Sequence, residues 1–201
     1  MIRLCKPELE GSQHSIEEIL RSGYLVQGKL VSQFEALIAS ITQRKFAIAL
    51  NSGTSAIHCA LLALGIGEGD EVIVPDFTFP ATANAVVTCG AQPVLVDIDL
   101  RTFNISVESI DENLGSKTRA VMPVDLFGLP APVDSIEELC RREKLNLIED
   151  SACAIGAGIN QRPCGSFGDV SILSFHPRKV ITTGEGGMVL TDEEEVAREV
   201  R

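Results

Sequence analysis

Three segments of the chain carry residue types that could do chemistry. The first, Asn51-Ser52-Gly53-Thr54-Ser55, leaves an apolar run and opens a helical pattern. A glycine there permits a tight turn, and N–H groups and hydroxyls at the positive end of a helix bind an anion such as a phosphate. The same residues also make an ordinary helix N-cap, and the segment alone leaves both roles open. The second is Asp150, at the carboxyl end of Leu147-Ile148-Glu149-Asp150, where open α/β sheets hold their ligands. Its carboxylate can accept a hydrogen bond from a protonated ring nitrogen, ligate a metal, or cap the following helix. Glu149 alternates to the other side and reads as structural. The third is Lys179, which follows the apolar run ending at Ser174-Phe175 and precedes the turn Thr182-Thr183-Gly184-Glu185-Gly186-Gly187. A partly desolvated amine has a lowered pKa and becomes a Schiff-base nucleophile, whereas most lysines are solvated surface charges. His176, beside Pro177, reads as a turn or packing residue.

A phosphate cup, a strand-end carboxylate and a poised lysine together are what pyridoxal 5'-phosphate requires. The cup takes the phosphate, and the carboxylate keeps the pyridine nitrogen protonated so that the ring absorbs electrons. The lysine forms the resting imine and moves protons. An aromatic side chain should cover the ring, and Phe79, in Pro75-Asp76-Phe77-Thr78-Phe79-Pro80, is placed to do so.

Those residues need elements to position them. From about residue 46 onward, apolar runs alternate with helical patterns. The spacing predicts strands at Phe46–Leu50, Glu71–Val74, Pro93–Val96, Arg119–Val124, Leu145–Glu149, Val170–Phe175 and Met188–Thr191. It predicts helices at Thr54–Leu64, Ala81–Cys89 and Val133–Lys144, the last with acids near its start and bases near its end, as the helix dipole favours. Most strands are apolar on both faces, which predicts a three-layer α/β/α fold with a mostly parallel sheet. Residues 1–45 read as an amino-terminal helical arm, with helices at Ser15–Gly23 and Ser32–Gln43 joined through Gly28. Residues 46–201 read as part of a cofactor-binding domain. The run Asp192–Glu195 reads as a solvated helix start.

Composition excludes several classes. Seventeen Lys and Arg against 28 Asp and Glu give a net charge of −11, which repels nucleic acid and anionic membrane surfaces. A mean hydropathy of +0.19 argues against disorder. The six cysteines include no Cys-x-x-Cys pair, and the three histidines lack metal-ligand spacing, so no metal is expected. Gly65-Ile66-Gly67-Glu68-Gly69 ends a helix, whereas a dinucleotide fingerprint opens one. Met1–Pro7 runs straight into polar residues without the apolar region of a signal peptide, and no run is long enough to span a membrane. Reduced thiols in the cytoplasm are the expectation.

The segments NSGTSAIHCALLALGIGEGDEVIVPDFTFPATANAV, PVLVDIDLRTFNI, IEDSACAIGA and SFHPRKVITTGEGGMVLTD resemble, in order and spacing, the DegT/StrS-type sugar aminotransferases. These are pyridoxal-phosphate enzymes of fold type I. Gly28–Glu35 is similar to that family's entry segment. The resemblance implies that Lys179 carries the cofactor as an imine, Asp150 pairs with the pyridinium nitrogen, and Gly53, Thr54, Ser55 and Ser174 hold the phosphate under a stacked Phe79. It also implies an amino group taken from glutamate and passed to a keto group of a nucleotide-linked sugar, by a homodimer. A lysine at position 179 separates the chain from related sugar 3-dehydratases, which carry histidine there. Two other readings compete: a folded scaffold without turnover, and pyridoxal-phosphate chemistry on a non-sugar ketone.

Cys153 departs from the family pattern, in which Gln or His commonly stands three residues after the strand-end Asp and contacts the cofactor's phenolic oxygen. A thiol is a poor substitute. Asp125 stands where the family often has His. Members run to nearly twice 201 residues, so the resemblance implies that the carboxy-terminal small domain is not included here.

Overall fold

Consecutive residues of the apolar runs bury on opposite faces of one sheet. The computed structural model describes Pro7, Leu9 and residues 11–201; Met1–Lys6, and Cys5 with it, lie outside the described residues. In chain order the elements are α1 (Gln13–Ser22), α2 (Lys29–Thr42), β1 (Phe46–Leu50), α3 (Gly53–Ala63), β2 (Glu71–Pro75), α4 (Ala81–Thr88) and β3 (Gln92–Val96). They continue with α5 (Val107–Glu112), β4 (Thr118–Val121), α6 (Val133–Glu143), β5 (Asn146–Asp150), β6 (Gly158–Ile159), β7 (Arg162–Pro163), β8 (Val170–Ser174), β9 (Gly187–Thr191) and α7 (Glu194–Val200).

Seven strands form the main sheet in the order β1-β9-β8-β5-β4-β2-β3. All neighbours are parallel except at β9, which runs antiparallel to both β1 and β8. Val72 and Val74, Met122, Ile148, Ile172 and Val189 pack with α3, α4 and α7 on one face. Ile73, Val121 and Leu147 pack with α5 and α6 on the other. Leu173, Met188 and Leu190 meet Ile38 of α2 in a third cluster. Two-sided burial of this kind is what a sheet covered by helices on both faces requires, and the three-layer expectation holds.

Strand and helix limits mostly differ from the sequence expectation by one or two residues, with two larger departures. α2 begins at Lys29 rather than Ser32, directly after Gly28. β4 ends at Val121 rather than Val124, because Pro123 has no N–H to give to a ladder. The chain nevertheless stays beside its neighbours: Met122 donates to the Ile73 carbonyl and Pro123 accepts from the Asp150 N–H. The acidic run does start a helix, α7. α1 buries none of its side chains, whereas α2 buries Glu35 and Ile38, and the Ala49 N–H donates to Glu35 at 2.9 Å. Among the described residues no helix is long and apolar enough to cross a membrane.

Candidate active site

Parity along β5 decides which carboxylate faces which layer. Ile148 packs toward α3 and α4, so Asp150, two residues on, points the same way. There the Thr82 hydroxyl of α4 donates to Asp150 Oδ2 at 3.0 Å, and the Ala152 N–H donates to Oδ1 at 3.2 Å. Thr82 in turn lies 2.9 Å from the Thr78 hydroxyl. Asp150 is only 4% exposed. Burial pushes its carboxyl above the usual carboxylate range, against the Ala152 and Thr82 hydrogen bonds and the Lys179 charge, which pull it down. A buried carboxylate with only these two donors keeps acceptor capacity for another, and a cationic one would suit it best.

Glu149 faces the opposite layer, and the structure puts it in a framework. It accepts from the Gly165 and Phe167 N–H groups and from the Ser171 hydroxyl. Arg44 closes the same region, donating to the Gly165, Phe167 and Gly168 carbonyls and to Ser171, and pairing with Asp192 at 3.0 Å. Burial, with the Asp125 charge alongside, pushes Glu149 up to about 8. Asp125 accepts from the Ser151 hydroxyl and the Ala131 N–H. Asp125, Glu149 and Cys164 bring potential ligand atoms within 4.8 Å of one another. Both carboxylates there are already engaged by protein donors.

The cup forms at the start of α3. Ser52 caps the helix, its hydroxyl accepting from the Ser55 N–H at 3.1 Å and lying 3.0 Å from the Ser55 hydroxyl. Gly53 and Gly187 let three elements meet there. A Cβ on Gly53 would lie 2.9 Å from the Ser174 Cβ, and one on Gly187 would lie 2.2 Å from the Ser52 carbonyl oxygen. The ends of β8 and β9 therefore press on the helix start, and Ser174 sits beside Gly53. The N–H groups of Gly53 and Thr54 belong to the first turn and have no intrahelical acceptor.

Lys179 is on the loop between β8 and β9. The Phe175 N–H donates to the Gly186 carbonyl, the Thr183 N–H and Thr182 hydroxyl donate to the Phe175 carbonyl, and the Lys179 N–H donates to the His176 carbonyl. This tied loop holds Lys179 half-buried, with its Nζ donating to Cys153 Sγ at 2.9 Å. Cys153 follows β5 by three residues, so the strand that carries Asp150 also delivers the lysine's partner. His176 accepts from the Arg178 N–H through Nδ1, a turn contact. Phe79 stands 75% exposed just before α4, and Thr82, one turn on, donates its N–H to the Phe79 carbonyl.

Thr82 was not singled out by sequence. A buried threonine inside an apolar helix face, one turn after Thr78, is the local signal that could have found it. The Cys153–Lys179 contact joins residues 26 apart, and only the pairing of β5 with β8 reveals it.

The family model described as the DegT/DnrJ/EryC1/StrS aminotransferase family matches residues 8–201. A GDP-perosamine synthase of Caulobacter vibrioides is 43% identical over 202 residues, covering 100% of this chain and 54% of that one. The aminotransferase from Psychrobacter cryohalolentis superposes with a TM-score of 0.94 at 40% identity, over 98% of this chain and 50% of its own. NtdA from Bacillus subtilis, solved with bound cofactor PMP, superposes with a TM-score of 0.88 at 37% identity, over 93% and 42%. The chain spans about half the length of the curated relatives it matches.

Proposed function

The chain belongs to the DegT/DnrJ/EryC1/StrS aminotransferase family, and from that premise we propose that it is the cofactor-holding part of a pyridoxal-phosphate-dependent aminotransferase. The donor is glutamate and the acceptor a keto group on a nucleotide-linked sugar, in a cytoplasmic homodimer. The observation that carries the cofactor assignment is Asp150: a buried carboxylate at the carboxyl end of β5 with two modest donors and acceptor capacity left over for a cationic one. Relatives that make GDP-perosamine or carry PMP support the substrate class and the cofactor. The described cysteines, none of them in a disulfide, support a reducing compartment.

When bound, pyridoxal phosphate supplies an electron sink for the carbon that loses and gains the amino group. This chain's own residues do the holding and the proton work. The Gly53 and Thr54 N–H groups with the Thr54 and Ser55 hydroxyls bind the phosphate oxygens at the positive end of α3, and Ser174 adds a hydroxyl from β8. Asp150, fixed by Thr82 and Ala152, accepts the ring N–H and stabilises its positive charge. Lys179 bears the reactive amine and moves a proton at Nζ. Its loop, tied to Phe175 at both ends, limits the motion of that amine. Phe79 offers an exposed ring to cover the cofactor and exclude water, and Cys153 sits beside Nζ where the amine must act.

The test is conversion of a nucleotide-linked keto-sugar to its amine by the full chain supplied with pyridoxal phosphate and glutamate. Amine formation that disappears in Lys179→Met is the expected result. Absence of product from folded, cofactor-saturated protein overturns the substrate assignment.

A further inference from the structure

We propose that Cys153 and Lys179 are a modification site, closing into a thiol-reversible sulfur–nitrogen bond when a peroxide oxidises the thiol while the lysine is free. The two reacting atoms are already in contact, Nζ donating to Sγ at 2.9 Å. Both side chains are half-buried, so a small oxidant reaches them. Cys153 stands on the loop after β5 and Lys179 on the loop after β8, neighbouring parallel strands.

The chemistry balances with hydrogen peroxide as the named oxidant. The Cys153 thiolate attacks one peroxide oxygen, the O–O bond breaks, and the sulfur becomes a sulfenic acid while hydroxide leaves. That hydroxide takes a proton from the Lys179 ammonium and becomes water. The freed amine lone pair then attacks the sulfur, the S–O bond breaks, and a second water departs with one N–H proton. Sulfur is oxidised, peroxide is reduced to two waters, and the side chains lose one hydrogen each. Two equivalents of an external thiol reverse it, returning Cys153 and Lys179 and forming the external disulfide.

The other described cysteines are poorer targets. Burial pushes the Cys140 thiol up to about 12, and it also raises Cys164, Cys59 and Cys89. Thiolate, the reactive form, is scarce at those positions. That the bond shuts off the working amine rests on the role proposed for Lys179, whereas the bond itself rests only on the contact.

The experiment treats the cofactor-free full chain with hydrogen peroxide and reads intact mass, followed by peptide mapping. The expected main product is lighter by two hydrogen atoms, with the Cys153 and Lys179 peptides linked, and dithiothreitol restores the original mass. Cys153→Ser and Lys179→Met each abolish the linked species, with circular dichroism confirming that the variants are folded. Oxygen adducts on Cys153 without a link overturn the proposal, as does a link that survives in Lys179→Met. A link in a chain that takes no pyridoxal phosphate onto Lys179 supports the proposal and defeats the cofactor reading instead.

Discussion

Glu149 and Asp150 are adjacent acids on one strand, both almost wholly buried, yet their surroundings give them opposite work. Glu149 faces the α6 layer, where two N–H groups and a hydroxyl surround it and Arg44 braces the same loop. Asp150 faces α3 and α4, where one hydroxyl and one N–H at 3.2 Å leave part of its acceptor capacity unused. The pleat alone separates them. A carboxyl group already engaged by protein donors stabilises a fold. One left short of donors at the carboxyl edge of a parallel sheet is ready for a ligand.

The strongest way to break the contrast is Glu149→Ala. It strands the Gly165 and Phe167 N–H groups in a dry region, so urea unfolding should show a loss of about 3–5 kcal/mol. A loss below about 1 kcal/mol, the size of an ordinary single hydrogen bond, would remove Glu149 from the framework. Asp150→Asn is the converse. It should leave the unfolding midpoint nearly unchanged while glutamate-driven conversion falls on the order of 100-fold or more, the scale for removing a preorganised charge partner. Equal damage to stability and turnover would merge the two roles.

A finer test uses pH. Glu149 titrates at about 8 in the folded chain against an ordinary value of 4.5. The folded state therefore keeps a proton that the unfolded state releases, and stability from this group falls as pH rises between those values. Urea midpoints should be lower at pH 9 than at pH 6, and Glu149→Gln should flatten that slope. A slope unchanged in the variant would assign it to another group. The smallest effect belongs to Thr82→Val, which deletes one donor to Asp150 and keeps the shape. Stability should change by about 1 kcal/mol, and the pH dependence of cofactor capture should move upward, since a weaker set of donors leaves the carboxylate harder to ionise.

Much of this contrast was legible in sequence, because alternation along Leu147-Ile148-Glu149-Asp150 is local information. The strand-end position of Asp150, the helix start at Gly53 and the turn after Lys179 were readable for the same reason. The order of the strands was not. The reversal at β9 arises because the loop carrying Lys179 is a hairpin connection rather than a helical crossover. α5 is six residues long, too short to show a helical period, although Ser106 caps it by accepting from the Ser109 N–H. The β6–β7 hairpin was also missed; its turn places Asn160 and Gln161 at positive φ, a conformation asparagine tolerates better than most residues. Arg44 reaches partners more than 120 residues away, and no local pattern encodes that.

The central claim is that this chain holds pyridoxal phosphate through one amine. The direct measurement is to incubate the full chain with pyridoxal phosphate, reduce with borohydride, and map the added mass by peptide sequencing. A single stoichiometric increment on the peptide containing Lys179, lost in Lys179→Met and weakened in Asp150→Asn, is the predicted result. An increment spread over surface lysines, or none on Lys179 in well-folded protein, would contradict the account.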